Sequence, residues 1–184
     1  MTPPHQNDAV DVELARELDA LIAEVNGHAD IWQIFLSGER FARMIEAMAA
    51  PFAGAGITKV VSVEARGFLL GGAVAFQLRA GFAAIRKGGH LPGPKLIQPT
   101  AGPDYQGRTH ALRLQTAALR PGDRVLLVDD WIEIGSQAGA AVTLIRRSGA
   151  TYAGCSVIVN QLPEARVGDF APLRYLVSHL PRET

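Results

Sequence analysis

The 184 residues carry 18 basic and 18 acidic side chains, so the formal net charge is +0 and neither nucleic acid nor a membrane surface is expected as a partner. The length predicts a single domain, residues 1–184, and a hydrophobic content of 48% predicts a substantial core. The single cysteine, Cys155, excludes an intrachain disulfide framework and favours a reducing, cytoplasmic setting.

Apolar spacing in the first half of the chain predicts two helices and then a strand–helix–strand unit. The helices are Val10–Val25 and Glu39–Phe52, with Ser37 as the N-cap of the second helix. The unit that follows consists of strand Lys59–Val63, helix Phe68–Leu78 and strand Gly81–Ile85.

The second half of the chain begins with a segment of a different character. Arg86–Gln106 is rich in Gly and Pro and has no sustained periodicity, so it is expected to be a long functional loop that acts as a lid. Beyond it, the sequence predicts strands Thr109–Gln115, Val125–Val128, Gly154–Val159 and Arg174–Ser178 and the helix Gln137–Ser148. Strands that alternate with helices indicate an α/β fold with a doubly wound, mostly parallel sheet.

The chemistry of the chain centres on residues 125–137. Val125–Val128 has the composition of a strand buried on both faces, and Asp129 and Asp130 follow at its carboxyl end. A turn of small residues then leads into a helix, which is the place where open α/β sheets bind ligands. N–H groups at a helix start attract phosphate, and adjacent carboxylates suit vicinal hydroxyls or a divalent cation. A phosphorylated sugar carries both a phosphate group and vicinal hydroxyls, so it is the ligand that this stretch predicts.

This stretch resembles the phosphoribosyl pyrophosphate (PRPP) motif of the type I phosphoribosyltransferases, and three more segments are similar to the adenine-using members of that family. The three segments are Glu64–Gly71, Arg86–Gly93 and Asp104–Gly107. Order and spacing match from about Val60 to Val159, more than half of the chain. The resemblance implies the family's α/β fold, with a small hood built by residues 1–36 and a flexible lid at residues 86–108.

The resemblance implies Mg²⁺-dependent transfer of the phosphoribosyl group from PRPP to a purine or purine-like base, with release of pyrophosphate, by a homodimeric enzyme. Arg66, Arg86 and Lys87 would supply positive charge to the departing pyrophosphate. Asp129 and Asp130 would hold the ribose hydroxyls and, directly or through water, the Mg²⁺. The residues implied to contact PRPP are Arg66, Arg86, Lys87, His90, Tyr105, Asp129, Asp130, Glu133, Ile134, Gly135, Ser136 and Gln137.

The chain departs from the family pattern at several of these positions. The usual Thr-Gly-Gly-Thr of the phosphate loop is replaced by Ile134–Gln137, and His90 stands where the family has a lysine. We expect a reshaped phosphate site that still relies on backbone amides and carries less positive charge. His28 and Ala29 replace the Phe-Arg pair that helps to frame adenine in the family, so another acceptor base is an open alternative.

The acid/base residue is open between two carboxylates. Asp104 matches the lid glutamate of the family but is one methylene shorter, and Glu133 lies where the hypoxanthine-guanine enzymes carry an aspartate base. The candidate catalytic residues are therefore Asp104, Glu133, Arg66 and Lys87. Trp131 replaces a small aliphatic residue and either packs in the wall or stacks on a base. Two rival functions stay open: a regulatory module that binds PRPP without turnover, and a specialised enzyme that acts on a modified base.

Overall fold

The computed structural model describes residues 12–25, 28–89, 91–100, 102 and 109–178. The first half of the chain forms α1 (Val12–Ala20), β1 (Ala23–Val25), β2 (His28–Asp30), α2 (Gly38–Ala49), β3 (Lys59–Val63), α3 (Arg66–Gln77) and β4 (Gly81–Lys87). The second half forms β5 (Lys95–Pro99), β6 (Ala111–Gln115), β7 (Arg124–Ile132), α4 (Ser136–Arg147), β8 (Thr151–Asn160), α5 (Glu164–Val167) and β9 (Leu173–Ser178). Short 3-10 helices cover Trp32–Leu36, Ala50–Phe52 and Gly168–Phe170. Among the described helices, none is long and apolar enough to cross a membrane.

Seven of the strands form one sheet in the order β5-β6-β4-β3-β7-β8-β9, which confirms the predicted α/β class. Strands β4, β3, β7, β8 and β9 run parallel to one another. Beyond β4, strand β6 pairs antiparallel with β4, and β5 pairs antiparallel with β6. The central strands β3 and β7 are almost entirely buried because helices cover both faces of the sheet. The prediction that Arg174–Ser178 is an edge strand is confirmed, since β9 lies at one end of the sheet.

Each face of the sheet packs against its own hydrophobic core. On one face, Val125 and Leu127 of β7 pack with α4. On the other face, Leu126 and Val128 pack with α1, α2 and α3. Because neighbouring residues of a strand point to opposite faces, four consecutive apolar residues contribute to both cores and place β7 in the middle of the fold.

The amino-terminal helix ends earlier than its sequence pattern predicts. α1 ends at Ala20, and Ala23–Val25 pairs in the antiparallel direction with His28–Asp30 in a separate two-stranded sheet. Leu14 and Leu18 are buried, so the first turns of the predicted helix make the packing contacts. The prediction that the helix continues to Val25 is wrong, because strand pairing outweighs apolar spacing in its last residues.

The predicted lid also contains regular structure. Arg86 and Lys87 belong to β4, and Lys95–Pro99 is an edge strand that pairs with β6. The prediction of a loop over residues 86–108 is therefore wrong for these parts. Proline and a short polar–apolar alternation give only a weak strand signal, and Pro99 is tolerated because β5 lies at the sheet edge.

Asp123 ties the start of β7 to the neighbouring chain segment. Its buried carboxylate accepts hydrogen bonds from Thr58 Oγ1 at 2.8 Å and from the Arg120 N–H at 3.0 Å. Burial alone would raise the pKa of Asp123, but these hydrogen bonds and the nearby charges of Lys59 and Arg120 outweigh burial and lower it. This contact lies at the amino-terminal end of β7, so it supports the fold at the end of the strand opposite the acidic pair.

Candidate active site

Three chain segments meet at the sheet edge formed by the carboxyl ends of β3, β4 and β7. Glu64 follows β3, and its N–H donates to Ile85 O at 3.0 Å, which holds the turn against β4. β4 ends at Lys87, and the acidic pair Asp129 and Asp130 lies near the end of β7. Parallel neighbouring strands bring their carboxyl ends to one edge, so residues that are distant in the chain become neighbours here.

Asp130 and Arg66 form a direct ion pair across this edge. Arg66 Nε donates to Asp130 Oδ2 at 2.5 Å, although the two residues are 64 positions apart in the chain. Asp130 is only 7% exposed, and the guanidinium group offsets the cost of burying its charge. The sequence predicts both residues as ligand contacts, and the structure adds that they hold each other in place.

Asp129 lies against the start of α3. A Cβ placed on Gly67 would lie 2.7 Å from Asp129 Oδ1, so glycine is needed for the helix to approach the carboxyl group this closely. Burial raises the pKa of Asp129 well above its usual value, the adjacent charge of Asp130 raises it further, and the charge of Lys87 opposes the shift. The three groups are thus close enough to influence one another, which is typical of a functional site.

Glu64 organises the two basic residues at the end of β4. Its Oε1 accepts the Lys87 N–H at 2.6 Å, and its Oε2 is ion-paired with Arg86 Nε. Arg66, although it is only two positions from Glu64 in the chain, instead reaches Asp130 of the acidic pair on β7. Glu64 is a positioning residue that is not among the predicted site residues; its sequence signals are its place in the Glu64–Gly71 segment and a carboxylate directly after a buried strand.

The predicted phosphate loop turns sharply into α4. Gly135 has a φ of +74°, and a Cβ at this position would lie 2.9 Å from the Phe170 ring. Glycine is required here both for the left-handed backbone and for the space. Ser136 and Gln137 begin α4, whose first N–H groups have no partner within the helix and suit an anion.

The residues before Gly135 form the outer part of the loop. Ile134 is 42% exposed, and its carbonyl accepts a hydrogen bond from Arg166 Nη1 at 2.9 Å. Glu133 is partly buried beside it. Trp131 Nε1 donates to Gln161 Oε1 at 3.1 Å, and Trp131 packs against the core formed with α1, α2 and α3. These contacts favour packing over base stacking for Trp131.

Three predicted site residues lie outside the described residues: the PRPP contacts His90 and Tyr105 and the candidate acid/base residue Asp104. One described residue of the predicted lid, Gly102, lies beside the phosphate loop, since a Cβ on it would be 3.8 Å from Ser136 Oγ. Thr100 Oγ1 donates to Gly102 O at 2.9 Å and so orients this segment. The lid therefore leaves β5 next to the start of α4, a placement that no local sequence signal indicates.

The chain has clear relatives among characterised sequences, although no family model matches it. An adenine phosphoribosyltransferase from Paracoccus denitrificans is 42% identical over 135 residues, which covers 73% of this chain and 70% of that protein. The corresponding protein from Methylobacterium nodulans is 47% identical over 137 residues, covering 74% of this chain and 72% of its own length. The chain belongs to the adenine phosphoribosyltransferase family.

Solved structures of the family show the same fold. The adenine phosphoribosyltransferase of Rhodothermus marinus superposes with a TM-score of 0.80 at 31% identity, over 92% of this chain and 100% of its own. The enzyme from Giardia lamblia, solved in complex with 9-deazaadenine, has a TM-score of 0.80 at 29% identity over 90% and 97% of the two chains. The resemblance inferred from the motifs is thus confirmed, as is the class of enzyme, a phosphoribosyltransferase.

The acidic pair suits the divalent metal that the family resemblance implies. Within the described part of the chain, no group of three or more His, Cys, Asp or Glu side chains could hold a metal ion. Mg²⁺ is commonly bound by one or two carboxylates together with substrate phosphates, and it retains several waters. Asp129 and Asp130 therefore fit a Mg²⁺ that arrives with a phosphorylated substrate, and they do not form a metal cage of their own.

Proposed function

We propose that this chain transfers the phosphoribosyl group of PRPP to a purine, with adenine as the first candidate, in a Mg²⁺-dependent reaction. The observation that carries the proposal is the meeting of Arg66, Lys87 and the acidic pair Asp129 and Asp130 at one sheet edge, in a member of this family. The complex of the Giardia lamblia enzyme with 9-deazaadenine supports a purine as the acceptor.

The reaction exchanges one bond at C1′ of the ribose for another. The bond to pyrophosphate breaks, a ring nitrogen of the base bonds to C1′, and the proton on that nitrogen passes to a carboxylate. Negative charge grows on the departing pyrophosphate, so Arg66, Arg86 and Lys87 interact more strongly with the transition state than with bound PRPP. This differential interaction is the main contribution that we assign to the three basic residues.

Arg66 and Asp130 orient each other through their ion pair, and each of them also contacts the substrate when it binds. Asp129 and Asp130 accept hydrogen bonds from the ribose hydroxyls. A guanidinium group has five N–H donors and Arg66 uses Nε for Asp130, so its remaining donors are available to the pyrophosphate. Arg66 can therefore hold the acidic pair in position and bind the leaving group at the same time.

The remaining PRPP contacts belong to the phosphate loop and the lid. Backbone N–H groups at the start of α4 would bind the 5′-phosphate. Mg²⁺, when bound, supplies positive charge to the pyrophosphate, and the acidic pair would hold it directly or through water. The further residues proposed to contact PRPP are His90, Tyr105, Glu133, Ile134, Gly135, Ser136 and Gln137.

Pyrophosphate release from PRPP and Mg²⁺ in the presence of a panel of bases tests this function. Release with adenine or another purine is the expected result. The double variant Asp129→Asn with Asp130→Asn should lose about a hundredfold or more in rate, because it no longer positions the ribose. Glu39→Gln, which changes an exposed carboxylate in the first turn of α2, is the matched control and should keep the rate.

The acid/base residue is tested by two amide substitutions. We expect either Asp104→Asn or Glu133→Gln to lower the rate by roughly 10²–10⁴-fold, since general acid–base catalysis contributes about that much. The other substitution should change the rate by a few-fold at most. If neither variant loses more than a few-fold, both assignments are wrong, while the transferase function itself can still be judged from the release assay.

A second candidate function is a PRPP-binding module without turnover. It is favoured by the phosphate loop, where Ile134 is 42% exposed and Glu133 adds a carboxylate beside the expected phosphate position. Calorimetric binding of PRPP without pyrophosphate release from any base would support this candidate. An enzyme specialised for a modified base would instead release pyrophosphate only with that base.

Homodimer formation is supported by an exposed apolar patch on α3 and β4. Phe76 is 86% exposed, Leu69 on the same face of α3 is 45% exposed, and Phe82 is 40% exposed. Large apolar side chains that are exposed on two packed elements commonly mark a protein interface. Light scattering should show a dimer that Phe76→Glu weakens, whereas Leu36→Glu, at an exposed position outside the patch, should leave it intact. A cytoplasmic location stays a prediction.

A further inference from the structure

Arg113 lies directly opposite Arg86 at the end of the sheet that carries the basic residues of the site. β4 and β6 are antiparallel neighbours, and their register places Arg86 across from Arg113 and Lys87 across from Leu112. Opposed residues in such a pair share one face of the sheet, and like charges in this arrangement destabilise the fold. The pairing of two arginines therefore requires a compensating negative charge.

The described residues supply only part of this negative charge. Both oxygens of Glu64 are engaged, one with Arg86 and one with the Lys87 N–H. Arg113 Nη1 donates to Ala111 O at 3.0 Å, a neutral acceptor, and no carboxylate of the described residues is ion-paired with it. Lys87 points to the opposite face of β4, where its charge acts on Asp129, so on the face shared by Arg86 and Arg113 two guanidinium groups against one carboxylate leave a local excess of one positive charge.

The glycine turn after β4 brings both guanidinium groups to the same place. Gly88 and Gly89 have φ values of +100° and +65°, so the backbone adopts a turn that other residues rarely form. A Cβ on Gly88 would lie 3.4 Å from Arg113 Nη1, and a Cβ on Gly89 would lie 3.8 Å from Arg86 Nη2. The absence of side chains at the turn leaves the two guanidinium groups accessible from its side.

We propose that Arg113 is a further pyrophosphate-binding residue, which acts with Arg86 under the Gly88–Gly89 turn. The inference rests on the proposed function, because it assigns one more residue to the leaving-group part of the same site. A multiply charged anion neutralises the excess positive charge, and guanidinium groups bind phosphate oxygens with two donors each.

Calorimetric titration with magnesium pyrophosphate and, separately, with AMP tests the proposal. Arg113→Gln keeps much of the side-chain volume and a donor for Ala111 O but removes the charge. It should weaken pyrophosphate binding about tenfold, which corresponds to about 1.4 kcal/mol, and leave AMP binding unchanged. Arg113→Lys should recover part of the pyrophosphate affinity. The matched control is Arg124→Gln, which also removes a guanidinium bond to a carbonyl, Ala55 O at 2.9 Å, at the other end of β7.

Each outcome bears on the proposal. Unchanged pyrophosphate affinity in Arg113→Gln overturns it, and so does an equal loss of pyrophosphate and AMP affinity, which would indicate a structural role. A similar loss in Arg124→Gln would overturn it too, because the effect would then not depend on position. If the wild-type protein binds neither ligand, the proposed function fails together with this inference. Binding by the wild type without an effect of Arg113→Gln refutes only the inference.

Discussion

Replacing Gly135 with alanine should destabilise the protein by an amount that the structure allows to be worked out. The φ of +74° costs a residue with a Cβ about 1–2 kcal/mol. The new Cβ would lie 2.9 Å from two atoms of the Phe170 ring and 3.1 Å from Leu162 Cδ2, and such overpacking costs about 1–3 kcal/mol. Together the two terms predict a loss of about 2–5 kcal/mol in the free energy of unfolding.

A second glycine of the same helix provides a control, for which we expect an increase in the free energy of unfolding instead of a decrease. Gly139 lies one turn into α4, has no positive φ, and a Cβ on it would meet nothing within 4 Å. Gly139→Ala should therefore stabilise the protein by about 0.5–1 kcal/mol, as expected for alanine in a helix interior. The two substitutions add the same methyl group to the same helix, so their difference isolates the geometry of the loop.

Chemical and thermal denaturation, both followed by circular dichroism, measure the stability of both variants. For a domain of this size, the predicted loss in Gly135→Ala corresponds to a decrease in Tm of about 4–20 °C. We also expect this variant to lose PRPP affinity, because the first turn of α4 must shift to accommodate the methyl group. A loss below 1 kcal/mol, or an equal loss in Gly139→Ala, would refute the assignment of Gly135 as the obligatory turn residue.

Four more predictions concern polar side chains. Asp129→Asn should raise Tm at neutral pH while it lowers the rate of turnover. The pKa of Asp129 is raised in the folded state, so wild-type stability falls as pH rises above about 4, and the variant should lack this slope in pH-dependent denaturation. Asp123 has a lowered pKa in the folded state, so its ionised carboxylate stabilises the fold above about pH 4, and this stabilisation is lost on acidification. Asp123→Asn should therefore lower the free energy of unfolding by about 1–3 kcal/mol at pH 7 and make it depend less on pH in the acid range. Ser156→Ala removes a buried hydrogen bond to Met48 O at 2.9 Å and should cost about 1–2 kcal/mol in urea titration. Ser62→Ala should be neutral or stabilising, because the buried Ser62 Oγ has no hydrogen-bond partner among the described residues; an equal loss in both serine variants would contradict this reasoning.

The strands of the central sheet could be predicted because their signals are local. Val125–Val128 is a run of branched apolar residues, and such a run fits only a strand that is covered on both faces. The acidic pair after it and the small-residue turn into α4 are also neighbours in the sequence. Their chemistry could therefore be recognised before the fold was known, and the helix begins within one residue of the predicted position.

The errors in the prediction lie where pairing with another segment of the chain decides the structure. Ala23–Val25 continues an apolar helical pattern, yet its pairing with His28–Asp30 makes it a strand. Lys95–Pro99 has little strand signal of its own, and its pairing with β6 stabilises it as an edge strand. In both cases hydrogen bonds to another segment outweigh the local preference, which is small for each residue.

The sequence by itself determined the fold class, the family and the identity of most residues at the carboxyl end of the sheet. Only the tertiary structure decided which of these residues hold one another: Arg66 with Asp130 across 64 positions, Glu64 with Arg86, and Arg113 opposite Arg86. The physical reason is that composition and periodicity report on burial and backbone conformation. The partner of a charged side chain depends instead on strand order and register, which bring distant parts of the chain within a few ångströms.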